Sequence, residues 1–146
     1  MPRYKLTLEY DGTGLVGWQR QENGPSVQGA LEEAVLRFAG ERVTAVGAGR
    51  TDAGVHAEGQ VAHLDLRRDW PAETLMNAVN FHLRPAAIAV RTAALAAADF
   101  HARFSATARH YRYRIVNRPS PLVLDRDRAW QVVPPLDAAA MQAAAR

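Results

Sequence analysis

The amino-acid sequence predicts an α+β fold of the ferredoxin-like, split βαβ kind, an antiparallel sheet with helices on one face. Three observations carry that expectation. Residues 3–10 and 60–66 alternate apolar and polar side chains with the period of a half-buried strand. Two stretches, after Ser26 and after Pro71, repeat apolar residues at helical spacing. In chain order the elements then read β-α-β-β-α-β.

The first strand sets Tyr4, Leu6, Leu8 and Tyr10 against Arg3, Lys5, Thr7 and Glu9, and Asp11-Gly12-Thr13-Gly14 breaks it. A loop runs to Pro25. Ser26 is a suitable cap for a helix whose Val27, Ala30, Leu31, Ala34, Val35 and Phe38 share a face, with Gly40 closing it. Residues 42–46 read as a strand, and Gln60 to Leu66 as the next. Pro71 suits the first turn of a second helix through Leu75, Met76 and Val79 to about His82, ended by Pro85. Ala87 to Leu95 reads as a fourth strand. Beyond Asp99, Phe104 to Asn117 reads as one long strand, ended by Pro119 and Pro121. A last helix opens near Asp137 and runs to Arg146 without a cap, which predicts a fragment of a longer protein. Two subdomains are expected: 1–104, an α/β unit carrying a loop around Asp52, and 105–146, the long strand and the start of a second α/β unit.

At 146 residues and 48% hydrophobic content, the chain is long enough for one packed core. Cysteine is absent, which excludes a disulfide framework, a thiolate nucleophile and a Cys-based zinc site. His63, His82, His101 and His110 lack ligand spacing, so no metal is expected. No stretch approaches the roughly 20 apolar residues that span a bilayer, so no membrane partner is expected and the cytoplasm is the expected location. The net charge is +3, and Lys5 is the only lysine. Arginine's planar fork suits phosphates and base edges, although a GC-rich genome accounts for it equally well. The distribution is more informative. Arg103, Arg109, Arg112, Arg114 and Arg118 interleave with Phe104, Tyr111 and Tyr113, a basic–aromatic pattern of RNA-binding segments.

The segment Ala48-Gly49-Arg50-Thr51-Asp52-Ala53-Gly54-Val55-His56-Ala57 joins two strand-type stretches. A hairpin needs only two residues such as Asn-Gly. This loop is longer and puts a carboxylate, Asp52, near a guanidinium, Arg50, between glycines, as a functional loop on a rigid scaffold does. Taken alone it also reads as a turn with a surface ion pair. His56 either orients the loop by a hydrogen bond or is only a loop residue. Trp18 is either core or a platform for RNA. Tyr111 and Tyr113 alternate, so at least one is expected to face a core, and Asp65 is expected to face solvent. Arg20, Arg103, Arg109 and Arg112 are candidate phosphate contacts, and each is also an ordinary solvated charge.

Four motifs in order resemble the N-terminal part of the tRNA pseudouridine synthase A family. They are Glu9-Tyr10-Asp11-Gly12-Thr13 leading to Gly17-Trp18-Gln19-Arg20-Gln21 and Ser26-Val27-Gln28; Gly49-Arg50-Thr51-Asp52-Ala53-Gly54-Val55-His56 with Gly59-Gln60-Val61; Phe100-His101-Ala102-Arg103-Phe104-Ser105-Ala106; and Arg109-His110-Tyr111-Arg112-Tyr113. The resemblance implies the first half of the pseudouridine synthase fold and cofactor-free isomerisation of uridine to pseudouridine at positions 38 to 40 of the tRNA anticodon stem-loop. It implies Asp52 as the catalytic aspartate, Tyr111 as the aromatic that packs on the target uracil, and Arg50 as the arginine that displaces the base and holds RNA. It further implies a homodimer, and a second, similar half that supplies a basic partner for the aspartate, so the fragment alone is expected to be incomplete. A single ionised carboxylate, the ordinary state of aspartate at neutral pH, suffices because nothing is hydrolysed. The alternative is a non-catalytic RNA-binding module of the same topology. Its Arg-Gly-Phe-Gly-Phe-Val type of motif is absent, and a carboxylate facing phosphates would weaken binding.

Overall fold

The alternation of residues 3–10 becomes β1 (Arg3–Tyr10), with Tyr4, Leu6, Leu8 and Tyr10 all buried. The computed structural model describes residues 1–146, in two units, Met1–Arg109 and His110–Arg146.

In the first unit, β1 is followed by α1 (Val27–Ala39), β2 (Val46–Gly47), β3 (Ala57–Asp65), α2 (Ala72–Leu83) and β4 (Ile88–Ala96). The sheet order is β2-β3-β1-β4 with antiparallel neighbours, the predicted split βαβ topology. Local signals set the helix ends. The Ser26 hydroxyl accepts from the Gly29 N–H, and Gly40, at φ 70°, closes α1 with its N–H on the Leu36 carbonyl. Pro71 stands at the N-terminal boundary of α2. Leu31, Val35, Leu75 and Val79 from the helices meet Tyr4, Leu6, Leu8 and Leu64 from the strands in one core. Each such burial stabilises by about 1.5–3 kcal/mol before chain entropy is counted.

The opposite face of the sheet carries Arg3, Lys5, His63 and Asp65 in register, Arg3 opposite Asp65 and Lys5 opposite His63. The segment after β4 crosses it. Arg3 donates to the carbonyls of Ala98 and Phe100, Lys5 lies 5.6 Å from the Phe100 ring, and the Ala102 N–H donates to His63 Nδ1 at 3.0 Å. Asp65, expected to face solvent, is half-buried in a bidentate pair with Arg3 at 2.7 and 2.8 Å.

The second unit contains β5 (Ile115–Asn117), β6 (Trp130–Val132), paired in parallel, and α3 (Ala138–Ala144), capped by Asp137.

Two expected strands are shorter than the sequence suggests. Of residues 42–46 only Val46 joins the sheet, continuing to Gly47. Side chains of α1 hold the rest: Glu32 accepts from the Ala45 N–H, and Gln28 donates to the Ala45 carbonyl. The single strand expected over 104–117 does not form, and only Ile115–Asn117 is extended in a sheet. The Ser105 N–H turns back onto the His101 carbonyl at 2.7 Å, and the Ser105 hydroxyl accepts from the His101 N–H. Such local bonds compete with a ladder. Alternation makes a strand only where a neighbouring strand and a core receive it.

Candidate active site

The Asp52 loop starts from a carboxylate that the chain leaves free. Asp52 is exposed, and no hydrogen bond or ion pair engages its side chain. The same holds for Arg50, so the two do not form the ion pair that their spacing suggests.

The backbone around them is held from several directions. Leading in, the Ala48 N–H donates to the Val61 carbonyl, and Gln60 Nε2 donates to the Gly49 carbonyl at 2.6 Å. At Thr51, the hydroxyl is 2.8 Å from the Tyr10 hydroxyl, and the carbonyl accepts from the Trp18 N–H at 3.0 Å. Past Asp52, its own carbonyl accepts from Val55, and the Gly54 N–H reaches the Leu15 carbonyl. The loop is therefore sewn to the 11–18 segment, which is itself tied to α1 by Val27 and Gln28 N–H groups donating to the Gly17 and Trp18 carbonyls.

Two glycines permit this approach. A Cβ on Gly12 would lie 2.1 Å from the Val55 carbonyl oxygen. Gly17 has φ +111°, and a Cβ there would lie 2.4 Å from the Thr51 oxygen. Trp18, open as core or platform from sequence, is 3% exposed and its indole lies against Gly47, so it is core.

His56 is half-buried, and its Nδ1 accepts from the Gly12 N–H at 2.8 Å. That bond requires an unprotonated Nδ1, so the 3.2 Å approach to Asp11 Oδ1 becomes an ion pair only if the ring gains a proton there. The imidazole thus ties the two loops together, the first of the two roles open from sequence.

The arginines separate by surroundings. Arg20 pairs with the buried Glu32 at 2.8 Å. Arg109 lays Nε and Nη2 on the Ala48 carbonyl at 3.0 and 2.8 Å and reaches the Arg103 carbonyl at 3.2 Å. It thereby brings the third motif against the strand that feeds the Asp52 loop. Arg103 is exposed, its guanidinium 5.9 Å from the Phe104 ring. In the second unit, Tyr111 and Tyr113 are 69% and 91% exposed, so neither faces a core there, and Arg112 is exposed beside them.

Sequence reasoning did not single out Tyr10, Gly12, Gly17 or Gln60 for roles in holding this site. Tyr10 and Gly12 stand inside the first quoted motif, but their partners are tens of residues away, where no local pattern points. His63 is pushed below the usual histidine range by burial, and the charges of Arg3 and His101 act in the same direction.

The chain belongs to the tRNA pseudouridine synthase family, whose profile matches residues 7–105, a span that takes in the split βαβ unit and the Asp52 loop. Relatives named tRNA pseudouridine synthase A align along its whole length. That of Sinorhizobium fredii is 61% identical over 148 residues, covering 100% of this chain and 60% of the relative. Those of Paramagnetospirillum magneticum and Rhodospirillum rubrum are 60% and 59% identical over 146 residues, covering 57% and 52% of the relatives. The chain thus spans little more than half the length of these curated relatives.

Proposed function

We propose that this chain acts, as part of a full-length tRNA pseudouridine synthase, in isomerising uridine to pseudouridine at positions 38 to 40 of the anticodon stem-loop. Family membership supports the reaction class. The observation that carries the site is the free, exposed Asp52 carboxylate on a loop whose backbone is hydrogen-bonded on both flanks. With no partner inside this unit, the carboxylate is open to a ribose and to the basic residue that the resemblance implies from the second half.

Two routes suit a single carboxylate. In one, an Asp52 oxygen bonds to C1′ as the C1′–N1 bond breaks, and the uracil leaves as an anion. The base rotates, C5 bonds to C1′ and displaces Asp52, and C5 then loses its proton while N1 gains one. In the other, Asp52 removes a ribose proton so that uracil departs and a glycal forms. The glycal then rejoins through C5 as Asp52 returns its proton to the ribose, and C5 loses its proton while N1 gains one. Arg50 assists in displacing the target base and holds RNA. Tyr111 packs on the uracil: unstacking costs a few kcal/mol, and an aromatic partner returns about 1–3 kcal/mol. Arg103, Arg109, Arg112, Arg20 and His56 belong to the RNA-facing surface in this reading. A homodimer working in the cytoplasm, without cofactor or metal, completes it.

The test is chemical mapping of pseudouridine in an unmodified tRNA transcript incubated with the full-length protein. Modification at positions 38 to 40 is the expected result. No pseudouridine, or pseudouridine only elsewhere, contradicts the proposal.

A further inference from the structure

We infer that Tyr10 is a positioning residue for Asp52, acting through its hydroxyl–hydroxyl hydrogen bond to Thr51. The inference rests on the proposed role of Asp52 and goes beyond it, because neither Tyr10 nor Thr51 touches the reacting atoms in that role.

Tyr10 closes β1 with its ring in the core, 4% exposed, and its hydroxyl 2.8 Å from Thr51 Oγ1. The pairing of β1 with β3 shifts register between Leu8 and Tyr10, with Glu58 and Gly59 of β3 standing opposite Glu9 alone. Tyr10 keeps the inward alternation of β1, and its hydroxyl meets the residue immediately before Asp52.

Thr51 is held at three points. Tyr10 takes its hydroxyl, the Trp18 N–H takes its carbonyl at 3.0 Å, and Gly17 passes so close beneath that a Cβ would sit 2.4 Å from that oxygen. Within this unit no side chain holds the Asp52 carboxylate, so its direction here follows from the backbone that Thr51 anchors. Of the three anchors, the hydroxyl pair is the one that can be removed without changing packing volume. A reacting group displaced by about 1 Å loses up to roughly 100-fold in rate, far more than one hydrogen bond changes folding.

The test uses full-length protein with Tyr10→Phe, Thr51→Val, Thr51→Ser, the Tyr10→Phe/Thr51→Val pair, and Asp52→Asn as reference. The readouts are kcat, KM for tRNA and melting temperature. The inference expects kcat to fall about tenfold or more in Tyr10→Phe and Thr51→Val. KM and melting temperature stay close to wild type. Thr51→Ser, which keeps the hydroxyl, recovers kcat to within about twofold, and the double variant falls no further than the worse single, as a shared bond requires. The inference is overturned by wild-type kcat in Tyr10→Phe and Thr51→Val while Asp52→Asn is inactive. It is equally overturned by losses that Thr51→Ser does not recover, or by losses confined to melting temperature. Full turnover in Asp52→Asn would instead refute the reading of Asp52 itself, and the inference with it.

Discussion

The Asp52 loop and the Tyr111 segment carry equally dense motifs, yet the chain treats them oppositely. Both expose the side chains of interest. Around Asp52, backbone groups of Ala48, Gly49, Thr51, Asp52 and Gly54 all have hydrogen-bond partners. Residues 106–113 make no backbone–backbone hydrogen bond, and the first contact after them is the Trp130 N–H on the Arg114 carbonyl. Exposure alone therefore does not distinguish a preorganised group from a merely displayed one. The state of the backbone beneath it does. A carboxylate in the proposed role, meeting one carbon atom, benefits from a fixed loop. An aromatic that stacks on a base tolerates placement by the ligand, because every base offers a ring face.

The largest effect in breaking that contrast is expected from Gly12→Ala. Its Cβ would fall 2.1 Å from the Val55 carbonyl oxygen, which is backbone and cannot swing aside. Separating the two loops should cost more than about 2 kcal/mol and lower the melting temperature by many degrees. A melting temperature within a degree of wild type would show that the loops are not held as described.

A smaller effect locates where the order of the first unit ends. His63 anchors Ala102, and it can accept that N–H only while Nδ1 is unprotonated. Its folded-state pKa is lowered, chiefly by burial, so the unfolded chain takes up the proton more readily. The contribution is complete above the ordinary histidine value of about 6.5 and is lost as pH falls through it toward the folded value. Asp65 is also lowered, by its hydrogen bond from Arg3, so a second loss follows as pH falls below about 3.9. Melting curves from pH 8 to 3 should show both declines, and His63→Gln should flatten the upper one. A wild-type profile that is level between pH 7.5 and 5.5 would remove His63 as the anchor.

The smallest effect belongs to Tyr113→Ala. At 91% exposure the ring has little to lose, so stability should change by no more than about 0.5 kcal/mol. A larger change would mean that the segment is packed after all.

Much of the first unit was legible because its signals are local. Ser26 and Gly40 bracket α1 as their chemistry requires, and the alternation of β1 places four side chains in the core. The 104–117 alternation misled for a physical reason: a period of two describes a strand only when a sheet receives it, and at the start of this stretch Ser105 is bonded to His101 rather than to a neighbouring strand. The Asp52 loop stood out by its residues, but not what holds it. Tyr10 reads as one more core aromatic until its hydroxyl is seen on Thr51, 41 residues away. Trp18 needed the glycine at 47, and His63 needed Ala102.

The most direct measurement of the central claim is tritium release from C5-labelled uridine in an anticodon stem-loop transcript, using full-length protein and its Asp52→Ala variant. Replacing the C5 hydrogen is intrinsic to the isomerisation. The account predicts release by the wild type, none by Asp52→Ala, and retention of the RNA by both within a few-fold. Continued release by Asp52→Ala would contradict it and remove the braced carboxylate from the chemistry.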